Sequence, residues 1–329
     1  MAAAFVANLI RYKREGYRPD RDLILVLETD EEIGDRDALG IRWLLANQRP
    51  LIDAEFALNE GAGVGLDKGR PMRIGLQTSE KVYANFALEV KDAGGHSSQP
   101  ERTNAIYRLA EGLVKLGRFD FPVRLNETTR TWFQRAADFE DPSLRTDMKA
   151  VAAEPPDLAA AARLSKLPRF NAQLRTTCTA TMLEGGHAEN ALPQLAKALV
   201  NCRVLPGTAL DEVRNTLVSV VADERIAVKM LDQPTGSPPS PLDANLMGAI
   251  EKVAADFWPG APLIPVMSAG ATDGSFLRAA GIPTYGHGGG AFEVTENRAH
   301  GRDERIPVKS FYESQEYLYR LVKVLAGGS

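Results

Sequence analysis

Histidine is scarce in this sequence: His96, His187, His287 and His300 are the only four in 329 residues. Any metal centre must therefore lean on carboxylates. Cysteine is scarcer still. Cys178 and Cys202 are the whole complement, too few for a disulfide framework or a four-cysteine zinc site, and both read as core residues. No apolar run approaches the ~18 residues that a membrane helix needs. Basic charge is not in excess either. Lys and Arg number 39 against 43 Asp and Glu, a net charge of −4, which leaves no footprint for nucleic acid and no polybasic membrane anchor. A P-loop and a dinucleotide fingerprint are missing. His287-Gly288-Gly289-Gly290 resembles the oxyanion loop of serine esterases, but the G-x-S-x-G elbow that such an enzyme needs is absent.

What is present is an ordinary globular composition, 44% hydrophobic and 25% charged, in a chain long enough for two domains. Phe5, Leu9 and Tyr12 space an amphipathic helix that starts uncapped at the first residues and lacks the pattern of a secretory signal. Residues 23–27 form a short apolar run that predicts a buried strand, residues 39–47 have helical spacing, and residues 54–58 predict a second strand. Helix, strand, helix, strand at this pace predicts an α/β fold, a mostly parallel sheet covered by helices.

From about residue 80 the pattern alternates. It predicts a strand over 83–90, a helix over 104–116, a polar helical insertion over 119–169, strands over 172–183 and 198–205, a helix over 210–221 and a strand over 226–231. That order matches a ferredoxin-like α+β layer. Residues 233–241, QPTGSPPSP, read as a linker. A helix over 245–257, a strand over 263–267 and a helix over 310–325 complete the chain. The expected organisation is a catalytic domain in two parts, 1–79 and 235–329, interrupted by an inserted lid or dimerisation domain, 80–234.

The chemistry gathers on carboxylates. Each of the first two predicted strands delivers them at its carboxyl end, Glu31 and Glu32 after one and Glu60 after the other, where open α/β sheets bind ligands. Three carboxylates together repel unless a cation is present. Zinc accepts Asp or Glu oxygens together with a His nitrogen, which the loop around His300 offers. Of two adjacent glutamates, one can ligate while the other faces a metal-bound water as general base.

These residues sit in ordered motifs, LETDEEIGD, ALNEGAG, GGHSSQP, HAENALP, NCRVLPG, SAGATDG and AHGRDERI. Together they resemble a zinc-dependent peptidase family that includes aminoacylases, glutamate carboxypeptidase, acetylornithine deacetylase, succinyl-diaminopimelate desuccinylase and Gly-Xaa carboxypeptidase. The resemblance implies hydrolysis of an amide bond beside a free carboxylate in a small peptide or N-acyl amino acid. It implies two zinc ions per subunit in a complete enzyme, with cobalt as a possible substitute. Glu31 matches the general base; Glu32 and His300 match ligands of one zinc, and Glu60 a ligand of the other. His96 matches a histidine that, in dimeric relatives, reaches the partner subunit's site and steadies the tetrahedral oxyanion, so a homodimer through the inserted domain is expected. Asn190 and Arg203 match the pair that binds substrate, Arg203 on the carboxylate, while Gly270, Thr272 and Gly289 match pocket-lining positions.

The departure from the family pattern carries an expectation of its own. The family's earlier His-x-Asp motif and its bridging Asp are not in this chain, which implies an N-terminal truncation and an incomplete two-zinc site. The alternative expectation is an impaired fragment, or a non-catalytic dimerising or binding protein on the same fold.

Overall fold

The computed structural model describes every residue except 30, 34–39, 232, 233, 235 and 297, and all but the side chain of Ile33. Asp30 of the acidic run, Leu39 at the start of the second predicted helix, Gln233 at the start of the predicted linker, and Thr235 at the expected domain border therefore lie outside the described residues.

The chain opens with α1 (Ala2–Glu15), which lacks a side-chain cap and ends at Gly16 in the left-handed conformation, φ 71°. A 3-10 turn (Glu31–Ile33), α2 (Gly40–Asn47) and α3 (Arg49–Ile52) lead into the hairpin β1 (Ala57–Asp67) and β2 (Arg70–Glu80). Next come β3 (Val82–Lys91), β4 (Gly95–His96), α4 (Ala105–Gly117), α5 (Glu127–Ala136), α6 (Pro142–Val151), α7 (Leu158–Leu164) and α8 (Pro168–Leu174). Then follow β5 (Thr177–Gly185), β6 (Ala191–Leu192), β7 (Leu195–Val204), α9 (Leu210–Val221) and β8 (Ile226–Met230). The last elements are α10 (Ala244–Phe257), β9 (Leu263–Ser268), α11 (Gly274–Ala279), β10 (Thr284–Glu293) and α12 (Val308–Ala326).

The fold class is α/β, with two four-stranded sheets and a two-stranded β4-β6 ribbon. The first runs β1-β10-β2-β9. Its β1/β10 and β2/β9 pairs are parallel and its β1/β2 pair antiparallel. Helices α10 and α12 cover it, burying Ile250, Tyr317 and Leu321 against Val64, Ile74 and Leu76. The second sheet is fully antiparallel, order β5-β7-β3-β8. With α4 and α9 interleaved as β-α-β-β-α-β, this is the ferredoxin-like layer read from the sequence. Alternation in β3 sends Ala84, Phe86, Leu88 and Val90 inward onto Leu109 of α4 and Leu217 of α9.

Four readings need correction. Residues 23–27 form no strand. They run extended and half-exposed, and none of the strands above pairs with them. An aliphatic run becomes a strand only when a neighbour takes its N–H and C=O groups; here Leu23 to Val26 instead wall a cavity of about 480 Å³ shared with α1, α12 and the start of β1. Second, the strand expected over 54–58 begins at Ala57 and continues to Asp67, so Glu60 lies within it rather than beyond its end. Third, the proline-rich 233–241 stretch is no loose linker where it is described: Ser237 and Ser240 are buried, and Ser240 donates its N–H to Thr78 O at 2.7 Å and its hydroxyl to Thr284 O at 2.8 Å. Proline pre-sets the extended backbone that lets these serines reach. Fourth, Cys178 and Cys202 face each other across β5 and β7 and are joined in a disulfide. The core expectation holds for fully buried Cys202; the pairing was hidden because strand register is not written in the spacing.

The polar insertion folds as α5 to α8 around Phe133, Met148, Leu164 and Phe170, and that core closes on Ile264 of β9. These helices thus pack on the first sheet although they interrupt the second. Among the described residues no helix is long and apolar enough to cross a membrane.

Candidate active site

Glu31 opens the 3-10 turn and is half-buried, while Glu32 is exposed. Burial, then the negative charges of Glu60, Asp273, Glu32 and Glu80, push the Glu31 carboxyl up to about 7. That order of causes shows what the fold does here: it half-buries Glu31 and brings several other carboxylates into range of it. Asp273 is driven well above the usual carboxylate range too, by burial and by a hydrogen bond with Glu28. Asp273 stands beside Thr272 in the SAGATDG motif; its partnership with Glu28, far away in sequence, left no signal in either motif.

Glu60 owes its position to an irregularity. The β1/β10 register slips between Asn59 and Ala62, so Glu60-Gly61 is a bulge of the kind that re-aims a side chain beside a site. The neighbour that permits it is Gly286: a Cβ there would lie 2.5 Å from the Glu60 carbonyl oxygen. Thr272 donates its hydroxyl to Glu80 Oε2 at 3.0 Å. Glu80 in turn takes Arg278 Nη2 at 2.6 Å and Gln77 Nε2 at 3.1 Å.

The other expected residues lie elsewhere: His96 and Asn190 at the β4-β6 pair, Arg203 on the second sheet and Gly270 in the loop after β9. His96 and Asn190 meet across β4 and β6, where His96 pairs with Ala191 and Ser97 N–H donates to Asn190 O at 3.0 Å. The His96 Nδ1 accepts from Ser98 N–H at 3.2 Å, which leaves Nε2 as the protonated nitrogen and an outward donor. Arg203 lies on β7. Its Nη1 donates to Ala269 O at 3.2 Å, across to the loop after β9, and its guanidinium sits 4.7 Å above the ring of Tyr83. Gly270, in that loop, donates its N–H to Ser268 Oγ at 3.0 Å.

Two expected residues have the following surroundings. His300 occupies an exposed turn with φ 60°. Gly289 is buried in β10, and a Cβ there would lie 2.5 Å from Tyr317 Cδ1, so it faces packing rather than a pocket. Its neighbour His287 is also structural: fully buried, with Nδ1 on Gly75 O at 2.8 Å and Nε2 on Tyr317 Oη at 2.9 Å. His187 is exposed in a turn.

Among the described residues no three His, Cys, Asp or Glu side chains stand close enough to hold a metal ion. In charge and donor type, however, the carboxylates around Glu31 fit a divalent cation: each is an oxygen donor, and such an ion relieves the repulsion that adds to burial in pushing Glu31 up.

Comparison with known proteins adds a family and a fold. The model of peptidase family M20/M25/M40 matches residues 1–324. The human N-fatty-acyl-amino acid synthase/hydrolase PM20D1 is 27% identical over 318 residues, covering 93% of this chain and 62% of its own length. A probable carboxypeptidase S-like protein 2 of Dictyostelium discoideum is 24% identical, covering 94% and 60%. This chain thus spans about 60% of the length of those curated relatives. Among solved structures, the M20 family metallo-carboxypeptidase Sso-CP2 of Sulfolobus solfataricus superposes with TM-score 0.60 at 20% identity, covering 89% of this chain and 68% of that one. A Staphylococcus aureus tripeptidase gives TM-score 0.60 at 16% identity, covering 98% and 69%.

Proposed function

The chain belongs to peptidase family M20/M25/M40, and from that premise we propose that it serves hydrolysis of an amide bond beside a free carboxylate, in a small peptide or an N-acyl amino acid. The observation that carries this reading is the crowding of Glu60, Asp273 and Glu32 around Glu31, in a chain whose relatives include an N-fatty-acyl-amino acid hydrolase and a carboxypeptidase-like protein.

Glu32, Glu60 and His300 are the side chains that would hold zinc, and cobalt is an acceptable substitute. When bound, the ion supplies Lewis-acid activation of water at neutral pH. Glu31 is the base of this reading: a half-buried carboxyl that accepts a proton near pH 7 is suited to take one from water. Arg203 binds the substrate carboxylate through its guanidinium fork, beside Gly270 and Thr272. Asn190 orients the acyl group, and the Nε2–H of His96 steadies the oxyanion. The division into a catalytic body, 1–79 and 235–329, and an inserted body, 80–234, belongs to the same reading. So does a homodimer formed through the inserted sheet, whose edge strand β5 exposes Met182 and Leu183, with His96 serving the partner's site.

The test is turnover of N-acyl amino acids and dipeptides with zinc or cobalt, for the chain and for Glu31→Gln. The variant is expected to lose roughly 10²–10⁴-fold in rate with metal retained. Near-normal turnover with Gln would remove Glu31 from the chemistry. Metal uptake and carboxylate binding without any turnover would instead support a binding protein on this fold.

A further inference from the structure

Lys81 is the one residue between β2 of the first sheet and β3 of the second. It is 1% exposed. Its backbone N–H donates to Ser268 O, 2.9 Å, at the end of β9. Its ammonium donates to Arg175 O at 2.7 Å and to Thr177 Oγ1 at 3.4 Å, where the chain returns from the helical insertion into β5. One residue, through its backbone and its side chain, therefore ties together both sheets and the insertion.

The charges around it are arranged unusually. Both acceptors of Lys81 Nζ are neutral. Glu80, the adjacent residue on its own strand, is turned onto Arg278. From the insertion, Arg175 directs its guanidinium to Asp120, 3.3 Å, and to Ser165. From β7 comes Arg203, a like charge, in register with Tyr83 on one side and Thr177 on the other. Burial and then Arg203 lower the Lys81 ammonium to about 7. Among the described residues no carboxylate bonds to Lys81, and a buried cation with another cation beside it and no such partner is held in its charged form only weakly.

Resting on the reading that Arg203 takes the substrate carboxylate, we propose that Lys81 is a positioning residue for that carboxylate, acting through Arg203, and that binding at the junction of the two sheets is coupled to uptake of a proton by Lys81. A bound carboxylate supplies the negative charge this junction lacks. It stabilises the ammonium, and the ammonium in turn holds the Arg175-Thr177 crossing against β3, so that Arg203 stays aimed over Ala269.

The sign follows from linkage. Below the free titration point Lys81 is already charged, so binding takes up no proton and affinity is flat. Above it, affinity for a carboxylate falls as pH rises, and uptake peaks between the free and bound titration points. The experiment uses the chain as it stands and needs no turnover. N-acetylalanine and N-acetylalaninamide are titrated by calorimetry in buffers of differing ionisation enthalpy, for wild type and Lys81→Met. Wild type is expected to prefer the acid and to take up about half a proton near pH ~7.5 and almost none near pH ~5.5. Lys81→Met should bind the acid with no uptake at either pH. Equal binding of acid and amide by wild type would overturn the Arg203 reading and this proposal with it. Acid preference with uptake unchanged in Lys81→Met would overturn the proposal alone. Should Lys81→Met fail to fold by circular dichroism, Lys81→Arg decides, since a guanidinium stays charged over this range: acid preference with the uptake reduced supports the coupling, and uptake equal to wild type refutes it.

Discussion

Arg278 and Glu80 form an ion pair with Nη2 to Oε1 at 2.6 Å, the two side chains 2% and 1% exposed. Arg278 also reaches Ser237 Oγ and Thr284 O, and Glu80 also takes Thr272 and Gln77. The pair thus links β2, α11, β10 and the proline-rich crossing. Burial pushes the Glu80 carboxyl up while Arg278 pulls it down, and burial prevails.

Breaking that pair from one side leaves a buried charge alone. Arg278→Met should cost about 3–5 kcal/mol, and adding Glu80→Gln should return part of it. Urea unfolding of the single and double variants measures this. Equal losses in both would mean that the charge is not the cause.

Acid should weaken the fold through His287. Burial lowers its imidazole from 6.5 to about 4. The unfolded chain then binds a proton that the folded chain refuses, so stability is full above pH 6.5 and is lost as pH falls toward 4. The loss amounts to about 3 kcal/mol at most. Unfolding midpoints at neutral and acid pH should converge in His287→Gln, and an unaltered pH slope in that variant would contradict the assignment.

The disulfide closes a loop with a sequence separation of 24. By loop entropy it contributes about 3 kcal/mol. Melting with and without a dithiol reductant, alongside Cys178→Ser/Cys202→Ser, should show matching drops. A thiol titration finding two free cysteines in the native protein would remove the bridge altogether.

Gly289 has φ 65° and no room for a Cβ beside Tyr317. Gly289→Ala should therefore destabilise by about 1–3 kcal/mol without changing carboxylate affinity in the fraction that folds. Full stability with weakened binding would restore the pocket-lining role expected from the motif.

Much of this molecule was legible beforehand because its signals are local. The alternation of β3 and the amphipathic spacing of α4, α9 and α12 depend only on neighbours in sequence. Residues 23–27 failed the same reading because pairing, unlike side-chain alternation, needs a second strand that the run itself does not encode. Glu31, Glu32 and Glu60 could be singled out as a carboxylate group, but the bulge that aims Glu60 depends on Gly286, and the pressure on Asp273 on Glu28. Lys81 escaped notice for a related reason: a lysine in TSEK reads as surface, and only the meeting of three crossings buries it.

The strand order β1-β10-β2-β9 has a consequence for synthesis. β1 and β2 emerge early and can pair with each other, yet their remaining neighbours are the ninth and tenth strands, so that sheet cannot close until most of the polypeptide has been made. The β-α-β-β-α-β unit, whose pairings all fall within Val82–Met230, is complete well before then. On the ribosome the inserted layer is therefore the first part able to fold, and the β1/β10 bulge that carries Glu60 must wait for the last strand to arrive.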